Sequence, residues 1–126
     1  MASGAKSFLA LGGVYAALAV AIGAFGAHGL KDRLAADALA VYQTGVQYQF
    51  WHALGLLVVG LLCQQLPGSA WLRSAGWLLA AGVVLFSGSL YALALGAPHG
   101  FGIVTPIGGV AFILGWIAVV VGIVKG

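Results

Sequence analysis

The sequence predicts an all-α membrane protein with four transmembrane helices, and two features of its composition carry that prediction. Apolar residues make up 63% of the chain and charged residues only 6%, whereas a soluble domain has about 45–50% and about 25%. Between Asp37 and Lys125 the only formally charged side chain is Arg73. Because a spanning helix needs about 20 mostly apolar residues, the 126 residues predict one transmembrane domain over residues 1–126.

The four spans are the uncharged apolar segments near residues 8–27, 46–65, 74–95 and 106–124. The first is longer than the apolar core of a typical secretory signal, so we expect a retained helix. Between the first two spans, Leu30, Leu34, Ala38, Val41 and Tyr42 recur at helical spacing. This pattern predicts an interfacial amphipathic segment over 28–45 that runs on into the second span. A Pro-Gly turn at 67–68 and a Gly/Pro-rich loop over 96–105 connect the remaining spans.

Four crossings give the membrane domain two ends. The end that holds both termini and the 66–73 turn is side A, and the end that holds the 28–45 and 96–105 linkers is side B. Lys6, Arg73 and Lys125 lie on side A, against Lys31 and Arg33 on side B. Because cytoplasmic loops carry an excess of basic residues, this distribution favours cytoplasmic N- and C-termini.

The charge and the cysteine content limit the kinds of partner and cofactor that the chain can be expected to have. The net charge of +3 comes from five basic residues without a Lys/Arg run, which suits contact with lipid headgroups and does not indicate nucleic acid. Cys63 is the only cysteine, so it forms no intrachain disulfide and completes no zinc-binding spacing. We therefore predict the lipid bilayer as partner, with no cofactor and no metal, and the sequence identifies no small-molecule ligand.

Polar residues are concentrated at side B. All three histidines lie there, and His52 and Ser87 lie roughly 9 and 12 Å inside their spans at about 1.5 Å per residue. Polar side chains at that depth face other helices or a water-filled cavity. The sequence thus predicts a shared polar pocket, with candidate residues His28, Gln43, Gln47, Tyr48, Gln49, His52, Ser87, Ser89, Tyr91 and Thr105.

Two interpretations of this pocket stand side by side. A histidine in a polar pocket can pass a proton or help to bind a small polar solute. Alternatively, the same side chains form hydrogen bonds that hold the helices together. His28 either caps the end of its helix or lies within reach of the polar stripe of the second span, and the second arrangement is the one we expect.

Catalysis is not predicted. Ser87-Gly88-Ser89 does not match Gly-x-Ser-x-Gly, and the four predicted spans contain no Asp or Glu to orient a catalytic base. His28 and His52 are too few to bind a metal alone. We therefore expect no catalytic residues and no enzymatic activity.

Small residues form two helix-packing seams. Small residues permit close approach of helix backbones in a membrane. The two seams could meet each other within one molecule or between molecules. A chain too short to enclose a pathway, together with the seam of the fourth span, predicts a homo-oligomer. The seams consist of Gly108, Ala111, Gly115, Ala118 and Gly122 in the fourth span and Gly12, Ala16, Ala19, Gly23 and Gly26 in the first.

Four motifs carry a family resemblance: "GAFGAH", "QTGVQYQFWH", "LFSGSLYAL" and "VTPIGG" followed by "GW". In this order and spacing they resemble the YgdD/YwdK-like family of small bacterial inner-membrane proteins, which also has eukaryotic relatives. The resemblance covers about residues 10–120. It implies four transmembrane helices and a multi-pass location in the bacterial inner membrane, and it implies no activity, because the family is a domain of unknown function.

Two function classes remain. The chain is expected to be a noncatalytic membrane protein that serves as a scaffold, in assembly or in regulation. The alternative is a small oligomeric transporter or channel that uses the polar pocket near side B. A pocket closed by direct side-chain hydrogen bonds would favour the first class.

Overall fold

The computed structural model describes residues 3–126, which are helical throughout the spans and contain no strand. Four helices in this part of the chain, of 25 to 30 residues, are long and apolar enough to cross a membrane, so the predicted fold class is confirmed. Helix α1 covers Ser3–Phe25 and ends in a π-helical turn at Gly26–Leu30, and α2 covers Ala36–Gln65. Helix α3 begins with Ala70–Gly82, continues through a π-helical turn at Val83–Ser87 and ends with Gly88–Ala94. Helix α4 begins with a 3-10 turn at His99–Ile103 and continues over Val104–Lys125.

The helices are longer than the predicted spans, and the linkers are correspondingly shorter. The segment predicted as interfacial over 28–45 divides into the end of α1, a turn over 31–35 and the first turns of α2. Leu30 and Tyr42 are buried with Ala94 of α3 in a small apolar cluster. From Ala36 the segment runs on into the second span as predicted, and burial of Leu30 and Tyr42 holds it against the bundle.

The two middle helices form the centre of the bundle. α1 packs mainly along α2, and α4 packs mainly along α3, while α2 contacts α3 between them. Phe8, Leu56, Leu72 and Leu79 are fully buried in the core. At side A, Gly4 lies against the side chain of Arg73 and the Lys125 ammonium lies 5.5 Å from the centre of the Trp71 ring, so both termini and the 66–69 turn share one end.

The seam of α4 is occupied within the chain by α3. A Cβ at Gly108 would collide with the backbone of Phe86, and Cβ atoms at Gly115 and Gly122 would lie 2.8 and 2.9 Å from Leu79 and Leu72. Ala118 is also buried and Ala111 half-buried. This seam therefore provides the close approach of α4 to α3 and does not supply the intermolecular contact that the homo-oligomer prediction took from it.

The seam of α1 faces α2. A Cβ at Gly12 would lie 2.9 Å from the carbonyl oxygen of Ala53, Gly23 faces Val46, and Gly26 faces the ring of Tyr42. Ala19 is buried and Ala16 half-buried along the same side of the helix. The two seams therefore pack against α2 and α3 respectively, rather than against each other.

Neighbouring glycines of α4 provide a matched test of this packing. We expect Gly108→Ala to lower the free energy of unfolding by about 1–3 kcal/mol, the usual range for an overpacked core, because its new methyl group meets the Phe86 backbone. Gly109→Ala is the control, since a Cβ there would be 3.9 Å from the Phe86 ring. Reversible unfolding in mixed detergent micelles measures both. Equal effects at the two positions would contradict the described contact of α3 with α4.

Candidate polar site between the helices

Seven of the predicted site residues lie at the contacts between the helices. Gln49, His52, Ser87 and Ser89 are each less than 8% exposed, and the other three are half-buried. We call the complete set the polar layer: Tyr48, Gln49 and His52 from α2, Ser87, Ser89 and Tyr91 from α3, and Thr105 from α4.

The Gln49 amide connects three helices. Its Nε2 donates to the carbonyl oxygen of Tyr15 in α1 at 2.9 Å, and its Oε1 accepts a hydrogen bond of 2.6 Å from the Tyr91 hydroxyl in α3. The Tyr15 hydroxyl in turn donates to the carbonyl oxygen of Ala80 in α3 at 3.1 Å. Both the donor and the acceptor end of the amide are thus used within the protein.

The His52 imidazole joins α2 to α4. Trp116 Nε1 lies 3.1 Å from His52 Nε2, and because an indole N–H can only donate, Nε2 is the acceptor. The proton of a neutral ring is therefore on Nδ1, which lies 2.8 Å from the Tyr48 carbonyl oxygen and donates to it. The ring also stacks on Phe112, with centroids 3.6 Å apart. The environment thus accommodates one neutral tautomer of His52.

The hydroxyl groups of α3 complete the layer. Ser87, at the end of the π-helical turn, donates to the Gly45 carbonyl oxygen of α2 at 2.7 Å. Ser89 Oγ donates to the Phe86 carbonyl oxygen at 2.9 Å and pairs with the Thr105 hydroxyl of α4. These hydroxyls bond to carbonyls and to each other, which is the usual role of serine and threonine in transmembrane helices.

His28, Gln43 and Gln47 do not join the polar layer. All three side chains are exposed, contrary to the expectation of one shared pocket. Successive helical residues are about 100° apart, so Gln47 and Gln49 point about 200° apart and cannot both face the core. His28 lies in the final π-helical turn of α1, where Gly26 and Leu30 take the buried positions.

Three contributors were not among the predicted site residues: Tyr15, Tyr42 and Trp116. Tyr42 donates from its hydroxyl to the Ile22 carbonyl oxygen at 2.6 Å, and so ties α2 to α1. Tyr15 carries a sequence signal, because it has the one side-chain hydroxyl in the predicted span 8–27. Trp116 carries a signal only as the second residue of the "GW" motif, since its neighbours in α4 are apolar and do not mark it as a hydrogen-bond donor.

The polar layer is closed at each of its buried atoms, and only the hydroxyl of the half-buried Tyr48 makes no hydrogen bond among the described residues. Among the described residues, no buried side-chain nitrogen or oxygen lacks a hydrogen-bond partner. No group of three His, Cys, Asp or Glu in the same part of the chain could hold a metal ion. Two cavities near the surface are lined by other residues, one around Gln47 and one around Asp37 and His99.

Comparisons with known proteins agree with this architecture. Residues 22–109 match the family described as "Protein of unknown function (DUF423)". The chain is 52% identical over 120 residues to the UPF0382 membrane protein YwdK of Bacillus subtilis, covering 95% of this chain and 98% of the relative. It is 48% identical to a UPF0382 membrane protein of Staphylococcus epidermidis, with 95% and 97% of the two chains covered. No solved structure matches the chain.

Removing one hydroxyl group tests the Gln49 connection. We expect Tyr91→Phe to lower the free energy of unfolding by about 0.6–2 kcal/mol, the scale of an interhelical hydrogen bond in a membrane, because it leaves Gln49 Oε1 without its donor. Tyr48→Phe is the matched control, since the Tyr48 hydroxyl makes no hydrogen bond within the described residues, and we expect a change within about 0.5 kcal/mol. Unfolding in mixed micelles compares the two, and a Tyr91 effect no larger than that of Tyr48 would argue against the connection.

Proposed function

Because this chain belongs to the DUF423 family of membrane proteins, whose function is undefined, we propose that it is a noncatalytic integral membrane protein. It serves as a scaffold or in assembly or regulation, and it acts through contacts of its outer surface rather than through an internal site. In this proposal it carries no catalytic residue and no cofactor.

The observation that carries the proposal is the closure of the polar layer. A site that binds or moves a solute needs polar groups that can exchange their partners, whereas Gln49, Ser87 and Ser89 already bond to backbone carbonyls or to side chains of adjacent helices. Hydrocarbon offers no replacement partners, so these bonds hold the helices in register. The polar layer accordingly stabilises the packing of the helices in the bundle.

The alternative is a small oligomeric transporter or channel, and one observation favours it. His52 is an ionisable group near the middle of α2, and histidine can pass protons. For this role Trp116 would have to move away from Nε2, since an imidazolium has no acceptor for the indole N–H. The two acidic residues, Asp32 and Asp37, are both exposed at side B and are not placed to assist such a relay within the membrane.

The location follows from the same features. The two relatives are named as membrane proteins, and we propose the bacterial inner membrane, with the lipid bilayer as the first partner. Lys6, Arg73 and Lys125 at side A, against Lys31 and Arg33 at side B, support cytoplasmic termini. A reporter fused to Gly126 that is active only in the cytoplasm tests this orientation.

Replacing His52 with Leu distinguishes a role in holding the helices together from a role in transport. We expect His52→Leu to lower the free energy of unfolding by about 0.6–2 kcal/mol, because Trp116 Nε1 loses its acceptor and the Tyr48 carbonyl loses the imidazole donor. His28→Leu is the matched control, since that side chain is exposed at the end of α1 and its replacement should change stability by no more than about 0.5 kcal/mol. Unfolding in mixed micelles gives both values.

Proton and cation flux into liposomes tests the function itself. We expect liposomes with the wild-type protein, His52→Leu or His28→Leu to conduct no more than empty liposomes between pH 5 and 8. Flux that is present in the wild type and lost in a stably folded His52→Leu protein would contradict the proposal and favour the transporter.

A further inference from the structure

Two glutamine amides remain on the outside of the bundle. Gln43 and Gln47 lie one helical turn apart on the same face of α2, and both side chains are exposed. They differ from Gln49, whose amide is buried at 4% exposure and bonded at both ends. Gln47 is about 6 Å further along the helix into the membrane than Gln43.

Gln47 lies about 16 Å along α2 from Ala36, a depth at which hydrocarbon provides no hydrogen-bond partner for its amide. Each amide carries two N–H donors and one carbonyl acceptor, and lipid acyl chains have neither group. The residues that follow on this face, Phe50, Trp51 and Leu54, are exposed and apolar. The amide of Gln47 is therefore next to a lipid-facing surface, where an additional hydrogen bond has the largest effect on association.

A groove lies directly beside Gln47. It has a volume of about 370 Å³ between α1 and α2 and is lined by Ala19, Val20 and Gly23 of α1 and by Gln47, Phe50 and Trp51 of α2. The small residues of α1 form a shallow wall, and the exposed aromatic rings stand next to it. Helix α1 is also the least covered span: 17% of its most apolar 18-residue stretch is buried inside the protein, against 44% for the corresponding stretch of α2.

We propose that this face binds a second copy of the same chain, in a two-fold dimer centred on Gln47. The amide is complementary to itself, so the donor of each Gln47 can bond to the acceptor of the other across the axis. The aromatic rings beside the groove of one protomer fill the groove of its partner, as the reciprocal contacts of a two-fold interface require. A lipid chain could fill the groove but would leave the amide unpaired.

This inference rests on the proposed function, because it names the surface and the partner through which a noncatalytic membrane protein would act. It also moves the predicted homo-oligomer contact from the seam of α4, which α3 occupies, to the face of α1 and α2. The proposal and the proposed function fail separately: a monomer that conducts nothing would overturn the dimer alone.

The first test measures self-association in lipid bilayers by energy transfer between labelled copies at a series of protein-to-lipid ratios. We expect the wild type to dimerise and Gln47→Leu to dissociate about tenfold more readily, which corresponds to about 1.4 kcal/mol. Gln64→Leu is the matched control, since it makes the same change at an exposed position near the other end of α2, and we expect no effect. A monomeric wild type, or equal dimerisation of all three proteins, would overturn the proposal.

The second test locates the contact by crosslinking in membranes, with Cys63→Ala as background. Val20 and Val110 are both exposed, on α1 beside the groove and on α4 respectively. We expect Val20→Cys to form dimers with a short bifunctional maleimide and Val110→Cys to remain monomeric. Crosslinking at Val110 in preference to Val20, or at neither position, would overturn the placement of the interface.

Discussion

The fold depends on the need of each polar group within the membrane to find a partner inside the protein. Gln49 shows the constraint most directly, because its amide bonds to α1 at one end and to α3 at the other. Its removal from the core would leave the Tyr91 hydroxyl without its acceptor and would take away the side-chain donor to the Tyr15 carbonyl, where water is absent. Ser87 likewise joins α3 to α2, and the Ser89–Thr105 pair joins α3 to α4. These hydrogen bonds fix the relative positions of helices whose apolar surfaces would otherwise pack in several registers.

These hydrogen bonds depend on close approach of the backbones, and glycine makes it possible. Gly45 accepts the Ser87 hydroxyl through its carbonyl, while a Cβ at the same residue would lie 2.7 Å from the Tyr91 ring. Gly55 similarly faces the ring of Trp116, the residue that donates to His52. The small residues and the polar layer therefore act together. The small residues bring the backbone carbonyls of neighbouring helices close, and the side chains of the polar layer form hydrogen bonds to those carbonyls.

The sequence predicted the four helices because uncharged apolar segments of spanning length have few other structures available. It also predicted that polar residues from α2, α3 and α4 lie toward side B of their spans, but because α2 begins at Ala36 rather than at residue 46, its polar residues lie near the middle of that helix. The facing of each side chain was harder to predict, because helices that are apolar on most sides carry little periodic signal. Gln47 and Gln49 were assigned together although they point to opposite sides, and the small-residue seam of α4 was recognised without its partner α3, which only the packing of the chain reveals.

The protonation state of the His52 ring shows whether the polar layer is closed to water. Nitrogen-15 NMR of labelled histidine in lipid bilayers, assigned through a His52→Leu protein, distinguishes the two ring nitrogens. We expect a neutral ring at pH 7, with the proton on Nδ1, Nε2 accepting from Trp116, and slow exchange of the ring proton with water. A protonated Nε2 would contradict it because the bond to Trp116 would then be absent, and a ring proton in rapid exchange with water would contradict it because the layer would then be open to solvent.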